Sequence, residues 1–400
     1  MALAREAGDE WIATLILVSL GAGYMIAGQY EKAGAHLVRA RNGFHECGDT
    51  YGQAAARLWQ CLLWLETDDT TRLSRGLDDL LAHTREHRYD FLFTRATLLG
   101  PPDPRRLAPL LLYARDQRHA PQYAKQRLAD LGLAQLRHHP GYQLRVQTLG
   151  SFQAWRGASL NENEIEAQDW HRENARMLFL LLITYRDAML DREQIAEMLW
   201  PGLDQETALR DFKVALSTLY KAIEPGRKRG APSAYVQRDG SLYGLRPEAD
   251  LWLDVEAFER AVAAGDAHIE TAPVTGIARY REALSLYAGD YLQEYPFEDW
   301  CSEERARLRS LYVGAADQLA RALIERAQWS EAIEVCQAIL AYDDCWEQAY
   351  RLMMTAYARL GNRAQLLRTY RRCEERLREE LDVAPSPRTL ALYKRLSQES

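Results

Sequence analysis

The feature that most narrows the fold is a change of hydrophobic period in mid-chain. Up to about Arg137 the apolar residues recur at helical spacing, and no stretch alternates convincingly. At "HHPGYQLRVQTLGSFQAWRG" that pattern breaks on His138, His139, Pro140 and Gly141. Leu144, Val146 and Thr148 then alternate with Arg145 and Gln147, as in a half-buried strand. A second short strand follows Phe152, then an acidic loop ("NENEIEAQDW") and a very apolar helix over about 171–185. Asp191, with Gln194 three residues on, has the form of a capping box and announces the next helix, which stops at Trp200-Pro201-Gly202. A third helix covers about Ala208 to Ile223, and "SAYVQRDGSLYGLRP" predicts two strands joined at Asp239-Gly240. Strands, three helices and a hairpin, in that order, predict a winged helix. His138 and His139 have no partner cluster of metal-ligand type and read as linker, which sets a boundary near residue 140.

Helical patterns flank this block on both sides. "LGAGYMIAGQYEKA", Leu20 to Ala33, carries Leu-Gly, Tyr and Gly-x-Tyr-x-x-Ala at tetratricopeptide offsets, so Gly21, Gly28 and Ala33 are expected where two helices approach, with Tyr24 and Tyr30 filling the seam. In the last third, "AQWSEA" at Ala327 and "GNRAQL" at Gly361 stand one tetratricopeptide unit apart, about 34 residues. Ala332 and Gly361 are expected at close approaches there. The fold class is therefore mostly α: helical tetratricopeptide-like repeats flanking a central winged-helix (α+β) domain. The divisions are 1–138, 141–248 and 251–400.

The run from Trp11 to Gly28 lacks charges, but Gly21, Gly23 and Gly28 and the preceding Asp9 and Glu10 favour a buried helix over a membrane span. The six cysteines show neither CxxC nor Cys/His ligand spacing, which fits a reduced, cytoplasmic interior. Phosphate-cradling loops, HExxH, GxSxG and dinucleotide fingerprints are absent from the sequence, so no catalytic residue, metal or cofactor is expected and the chain does not read as an enzyme.

Chemistry gathers instead on the third helix of the winged block. Leu209, Phe212, Leu216, Leu219, Tyr220 and Ile223 form one apolar stripe, and Arg210, Lys213, Ser217 and Lys221 form another. The chain carries a net charge of −7, yet Thr207 to Pro247 holds eight basic residues against three acidic, a local +5. A solvated face is the bland account of such cations. A capped helix before, a short turn and a wing after favour duplex DNA, with Arg227, Lys228 and Arg229 in the loop and Arg238 on the hairpin in reach of phosphates.

With these residues assembled, the chain from about Tyr142 to Leu396 resembles the Streptomyces antibiotic regulatory protein type of bacterial transcriptional regulator. That family joins an OmpR-like winged helix to a bacterial transcriptional activator domain. The matching stretches are "LWPGLDQETALRDFKVALSTLYKAIEP", "YVQRDGSLYGLRP", "YREALSLYAGDYL", "DWCSEERARL" and the run from Glu347 to Tyr393. The preceding tetratricopeptide-like region is similar in order to the C-terminal half of MalT-like regulators. The resemblance implies a promoter-binding activator whose recognition helix is Ala208–Ile223. Asp204 and Glu206, in the turn before it, would face RNA polymerase, or else serve only the start of the helix. An effector ligand or protein at the repeats and a homodimer stay open, and no membrane partner is implied. The alternatives are a non-enzymatic scaffold whose winged helix binds protein, and the output half of a larger NTPase-switched regulator.

Overall fold

The computed structural model describes residues 9–157, 163–171 and 173–399, which leaves Asn161 and Glu162 of the acidic loop outside the described residues. The chain divides into two compact units, Met1–Arg145 with Trp155–Leu251, and Val146–Ala154 with Trp252–Ser400.

The first unit opens with four helices of equal length, α1 (Glu10–Ile26), α2 (Tyr30–Glu46), α3 (Thr50–Glu66) and α4 (Thr70–Glu86), each of 17 residues. Their first residues, Glu10, Tyr30, Thr50 and Thr70, are evenly spaced along the chain. The turns that follow them repeat as well. Residues 28, 48, 68 and 88 all take a left-handed conformation, at φ of 71°, 68°, 57° and 58°. The amide of the next residue then reaches back to the carbonyl of Tyr24, Phe44, Trp64 or Thr84 at 2.8–2.9 Å, which satisfies carbonyls the helix end leaves free. Helix and turn thus recur together at one constant interval, a regularity that the single tetratricopeptide match at Leu20 does not reveal.

Two sequence expectations change at this point. Gly28 and Gly361 do not mark close approaches: both are left-handed turn residues, and a Cβ on either would meet nothing within 4 Å. Glycine is chosen there for φ, not for contact. Close packing falls instead on Gly21, whose Cβ would lie 2.6 Å from Leu37, and on the buried Ala33 and Ala332. Tyr24 stacks on His36 at 5.3 Å, but Tyr30 is exposed and fills no seam. Likewise α1 is buried along one face only: Ile12, Leu20 and Ile26 stay exposed. Among the described residues no helix is long and apolar enough to cross a membrane.

Helices α5 (Ala108–Asp116) and α6 (Pro121–Asp130) complete the N-terminal helices. His139 is no exposed linker residue. Its Nε2 lies 3.1 Å from Asp250, which also accepts from Arg105 Nε at 2.7 Å and Gln143 Nε2 at 2.8 Å.

The central block follows: β1 (Leu144–Gln147), β2 (Gln153–Arg156), α7 (Glu173–Thr184), β3 (Leu190–Asp191), α8 (Arg192–Leu199), α9 (Gln205–Ile223), β4 (Val236–Asp239), β5 (Leu242–Leu245) and β6 (Leu251–Leu253). One sheet has the order β2–β1–β6 and the other β3–β5–β4. The division between the units falls within the strands of the first. The hairpin register pairs Val236 with Leu245 and Asp239 with Leu242, and Gly240 takes the turn at φ 61°. Strand β3, too short to show in the sequence, pairs Leu190 with Tyr243 and fixes the wing beside α8.

The second unit is helical: α10 (Asp254–His268), α11 (Pro273–Leu286), α12 (Ser302–Glu325), α13 (Trp329–Tyr342), α14 (Glu347–Arg359), α15 (Arg363–Leu381) and α16 (Pro387–Glu399). Ala327 and Gly361 turn in the left-handed region at φ 58° and 67°, and the amides after them bond the carbonyls of Leu323 and Tyr357. This is the same turn as in the first unit at a different spacing. All six cysteines are free, and Cys61, Cys301, Cys336 and Cys373 are buried.

Candidate nucleic-acid interface

Helix α9 begins where Asp204 caps it. The Asp204 carboxylate accepts from Thr207 N at 3.0 Å, and that backbone bond holds its pKa below the usual value. Asp204 therefore serves the helix start directly, while Glu206 stands exposed in the first turn.

The far end of α9 is held as firmly. Arg156 donates through Nε and Nη2 to the Ala222 carbonyl at 2.9 and 2.7 Å, and Tyr142 Oη donates to Ile223 O at 2.7 Å. A cation against terminal carbonyls suits the negative end of the helix. Glu224, just beyond, is buried; burial raises its pKa against the bonds it accepts from Ala234 N and Ser233. Phe212 meets Tyr243 of the wing edge-on at 5.0 Å.

Between its ends α9 buries Ala208, Phe212, Ala215, Leu219, Ala222 and Ile223. Leu216 and Tyr220, expected in that stripe, sit at its edge and line a groove of about 370 Å³ between α9 and the wing. The groove brings together four of the expected site residues, Lys213, Ser217, Arg227 and Arg238, and adds Arg192 from the start of α8. It is lined by four cations and no carboxylate.

Arg192 is not legible as a site residue in the sequence, because only the tertiary fold carries the head of α8 to the groove. The remaining expected residues lie outside the groove. Arg210, Lys221, Lys228 and Arg229 are exposed, with Arg210 3.8 Å from Asp211 and Lys228 paired with Asp68 of the α3–α4 turn. Lys213 and Lys221 make no ion pair among the described residues.

Arg227 is the most firmly held of the loop cations. Its guanidinium carbon lies 4.2 Å from the Tyr220 ring centroid, and Nη1 donates to the Ala231 carbonyl. Arg238 Nε donates to Gly240 O at 3.1 Å and its guanidinium sits 5.7 Å from the Tyr243 ring centroid. Both are therefore pre-placed on aromatic faces.

Residues 253–397 match the family model "Bacterial transcriptional activator domain". The C-terminal helices are a bacterial transcriptional activator domain. The chain also aligns with curated relatives. The regulatory protein AfsR of Streptomyces coelicolor is 27% identical over 259 residues, which are 64% of this chain and 24% of that protein. The regulatory protein DnrI of Streptomyces peucetius is 25% identical over 219 residues, 53% of this chain and 79% of its own length. Among solved structures, Mycobacterium tuberculosis EmbR in complex with a low-affinity phosphopeptide superposes with a TM-score of 0.53 at 19% identity, over 64% of this chain and 66% of that one. That likeness shows the fold alone, which is mostly helical. The resemblance to the Streptomyces antibiotic regulatory protein type therefore holds, and the chain spans about a quarter of the length of AfsR.

Proposed function

We propose that this chain is a transcriptional activator that binds duplex promoter DNA through α9 and the wing. The observation that carries the reading is the cationic groove beside α9, in which Arg192, Lys213, Arg227 and Arg238 line one concavity without a carboxylate, in a chain whose net charge is −7. An exposed helix stripe next to such a groove can put polar side chains on base edges while neighbouring cations neutralise phosphates. Arg210, Lys213, Ser217 and Lys221 face the bases and adjacent phosphates. Arg227, Lys228, Arg229, Arg238 and Arg192 hold the backbone.

The names of the curated relatives, both regulatory proteins, support a regulatory role. Three working parts follow from this reading: the N-terminal repeats as a sensing region, the winged helix as the DNA module, and the activator domain. Glu206, free of the capping role that occupies Asp204, is the better candidate of the two for an RNA polymerase contact, in the cytoplasm where transcription takes place.

Equilibrium binding to a promoter duplex and to a random duplex across a salt series tests the proposal. Lys213→Ala should relax preference at one base position, and Arg229→Ala should weaken both duplexes alike and lower the salt slope by about one. Unchanged binding by alanine variants of all eight sequence-predicted positions would remove this face from consideration.

A further inference from the structure

A second groove runs along α3 in the N-terminal repeats. Gln53, Arg57, Gln60, Trp64 and Thr67 follow one another at spacings of four and three, so they share one face of that helix. Two cavities lie on this face, one of about 620 Å³ lined by Trp64, Gln60 and Val38 and one of about 200 Å³ lined by Arg41, Arg57 and His83. Helices α2 and α4 supply the walls of both.

Arg57 joins the two. It lines the smaller cavity, its guanidinium carbon lies 5.9 Å from the ring centroid of Trp64, and Nη1 reaches Gln60 Oε1 at 3.4 Å. Gln60 is only 2% exposed; its Oε1 accepts from Arg57 and its amide group lines the larger cavity. An amide at the wall of a cavity can donate to an acceptor placed inside it.

The charges are uneven. Arg57 has one carboxylate, Asp79 at 3.3 Å, whose side chain is 68% exposed. Among the described residues Arg41 has none, and its one side-chain bond there is a 3.5 Å contact with Asn42. Burial first, and then the charge of Arg41, hold the Arg57 guanidinium below its ordinary pKa, as expected of two cations short of one anion. At the other end Arg72 lies 3.5 Å from Asp69, which leaves Glu31 as an unbalanced negative charge there.

Trp64 is itself seated by design of the sequence. A Cβ on Gly76 would fall 2.2 Å from its ring, so only glycine at that position lets the indole lie as a wall of the groove. We propose that the α3 groove binds a small aromatic acid, its anionic group held by Arg41 and Arg57, its ring against Trp64, and an acceptor on it meeting the Gln60 amide. Glu31 repels an anion from the opposite end and so fixes the orientation.

The test uses the full chain without DNA, so it stands apart from the promoter reading. The probes are 8-anilinonaphthalene-1-sulfonate, an aromatic anion that fluoresces when bound, and the uncharged N-phenyl-1-naphthylamine. Arg41→Ala and Arg57→Ala should each weaken the sulfonate about tenfold, the worth of one charge-assisted contact, and leave the neutral dye as it was. Arg57→Lys should restore part of the loss. Should Arg57→Ala lose its helical circular dichroism, Arg41→Ala carries the test, since the one side-chain hydrogen bond that Arg41 makes among the described residues is a long contact with its neighbour Asn42. Equal sulfonate affinity in wild type and Arg41→Ala overturns the proposal, as does loss of all emission in Leu20→Asn, which would assign the dye to the exposed apolar face of α1.

Discussion

The two helical stretches close their turns in the same way and space them differently. After Phe44 and after Leu323 the chain makes one left-handed residue, and the next amide bonds back to the carbonyl five residues earlier at 2.9 Å. In the N-terminal stretch that turn recurs at residues 28, 48, 68 and 88, each at the end of one of the equal helices, whereas in the activator domain the instances at Ala327 and Gly361 stand farther apart. Their seams differ accordingly. N-terminal glycines let large side chains cross, with Gly52 against the ring of Phe44 and Gly76 against Trp64, where a Cβ would lie 2.4 and 2.2 Å away. The activator domain uses that device at Gly265, where a Cβ would lie 2.6 Å from the ring of Tyr280, and adds buried alanines (Ala316, Ala332, Ala349, Ala356) and stacked tyrosines, Tyr287 on Tyr312 at 4.4 Å. Turn chemistry is thus independent of repeat length, and the size of the seam residues sets which side chains may pass between helices.

Removing a crossing side chain is the largest test of that distinction. Phe44 is fully buried, and Phe44→Ala should cost about 3–5 kcal/mol, read as the midpoint of chemical unfolding followed by circular dichroism. A loss below about 1 kcal/mol would mean that the N-terminal seam does not depend on its ring. Overpacking comes next. Gly76→Ala against Trp64, and Ala332→Leu in the activator domain, should each cost about 1–3 kcal/mol. Tolerance at Gly76 alone would show that Trp64 can leave its seat.

Two aspartates four residues apart separate the units by the sign of their pH response. Burial disfavours ionisation of Asp250, but bonds from His139 and Gln143 and the charge of Arg105 outweigh it, so its pKa is lowered. Its stabilisation is present above about pH 4 and is lost as pH falls through the lowered value. Asp254 belongs to the other unit. Only neutral donors serve it, Thr148 N and Leu149 N at 2.7 Å, Thr148 Oγ1 at 2.9 Å and Val255 N at 2.8 Å, and burial wins, so its pKa is raised. Its stabilisation is full below about pH 4 and declines as pH rises through the raised value. Unfolding midpoints between about pH 3 and 7 should show the advantage of wild type over Asp250→Asn growing with pH, and that over Asp254→Asn shrinking. Parallel slopes would refute the contrast.

Legibility in the sequence follows the range of the interaction. The Asp191–Gln194 capping box, the Asp239-Gly240 hairpin, the stop at Trp200 and the end of α9 at Ile223 are local, and all are readable; the start of α9, expected near Ala208, falls at Gln205 because Asp204 caps it. The spacing of the activator-domain turns is readable because Ala327 and Gly361 are each a small residue four positions after a large one, Leu323 and Tyr357. The shorter N-terminal spacing leaves no such mark, because Asp68 and Arg88 take the left-handed turn that Gly28 and Gly48 advertise. Long-range pairs leave no local mark either. Arg192 in the groove, Lys228 on Asp68 and His139 on Asp250 depend on segments brought together only by the fold.

The smallest effect isolates the turn itself. Gly28 and Ala327 hold equivalent positions at φ 71° and 58°, and a Cβ on Gly28 would touch nothing within 4 Å. Contacts therefore contribute nothing to Gly28→Ala, and the strain of an L-residue in the left-handed region contributes everything. Ala327 is exposed, so trimming it to glycine removes no packing. That strain runs to roughly 1–2 kcal/mol, partly offset by the freedom glycine adds to the unfolded chain. Gly28→Ala should then destabilise by about 1 kcal/mol and Ala327→Gly stabilise by a similar amount. Paired denaturation midpoints measure both. If the two substitutions shift stability in the same direction, the turns are not equivalent, and the shared backbone geometry of the two stretches would not reflect a shared energetic cause.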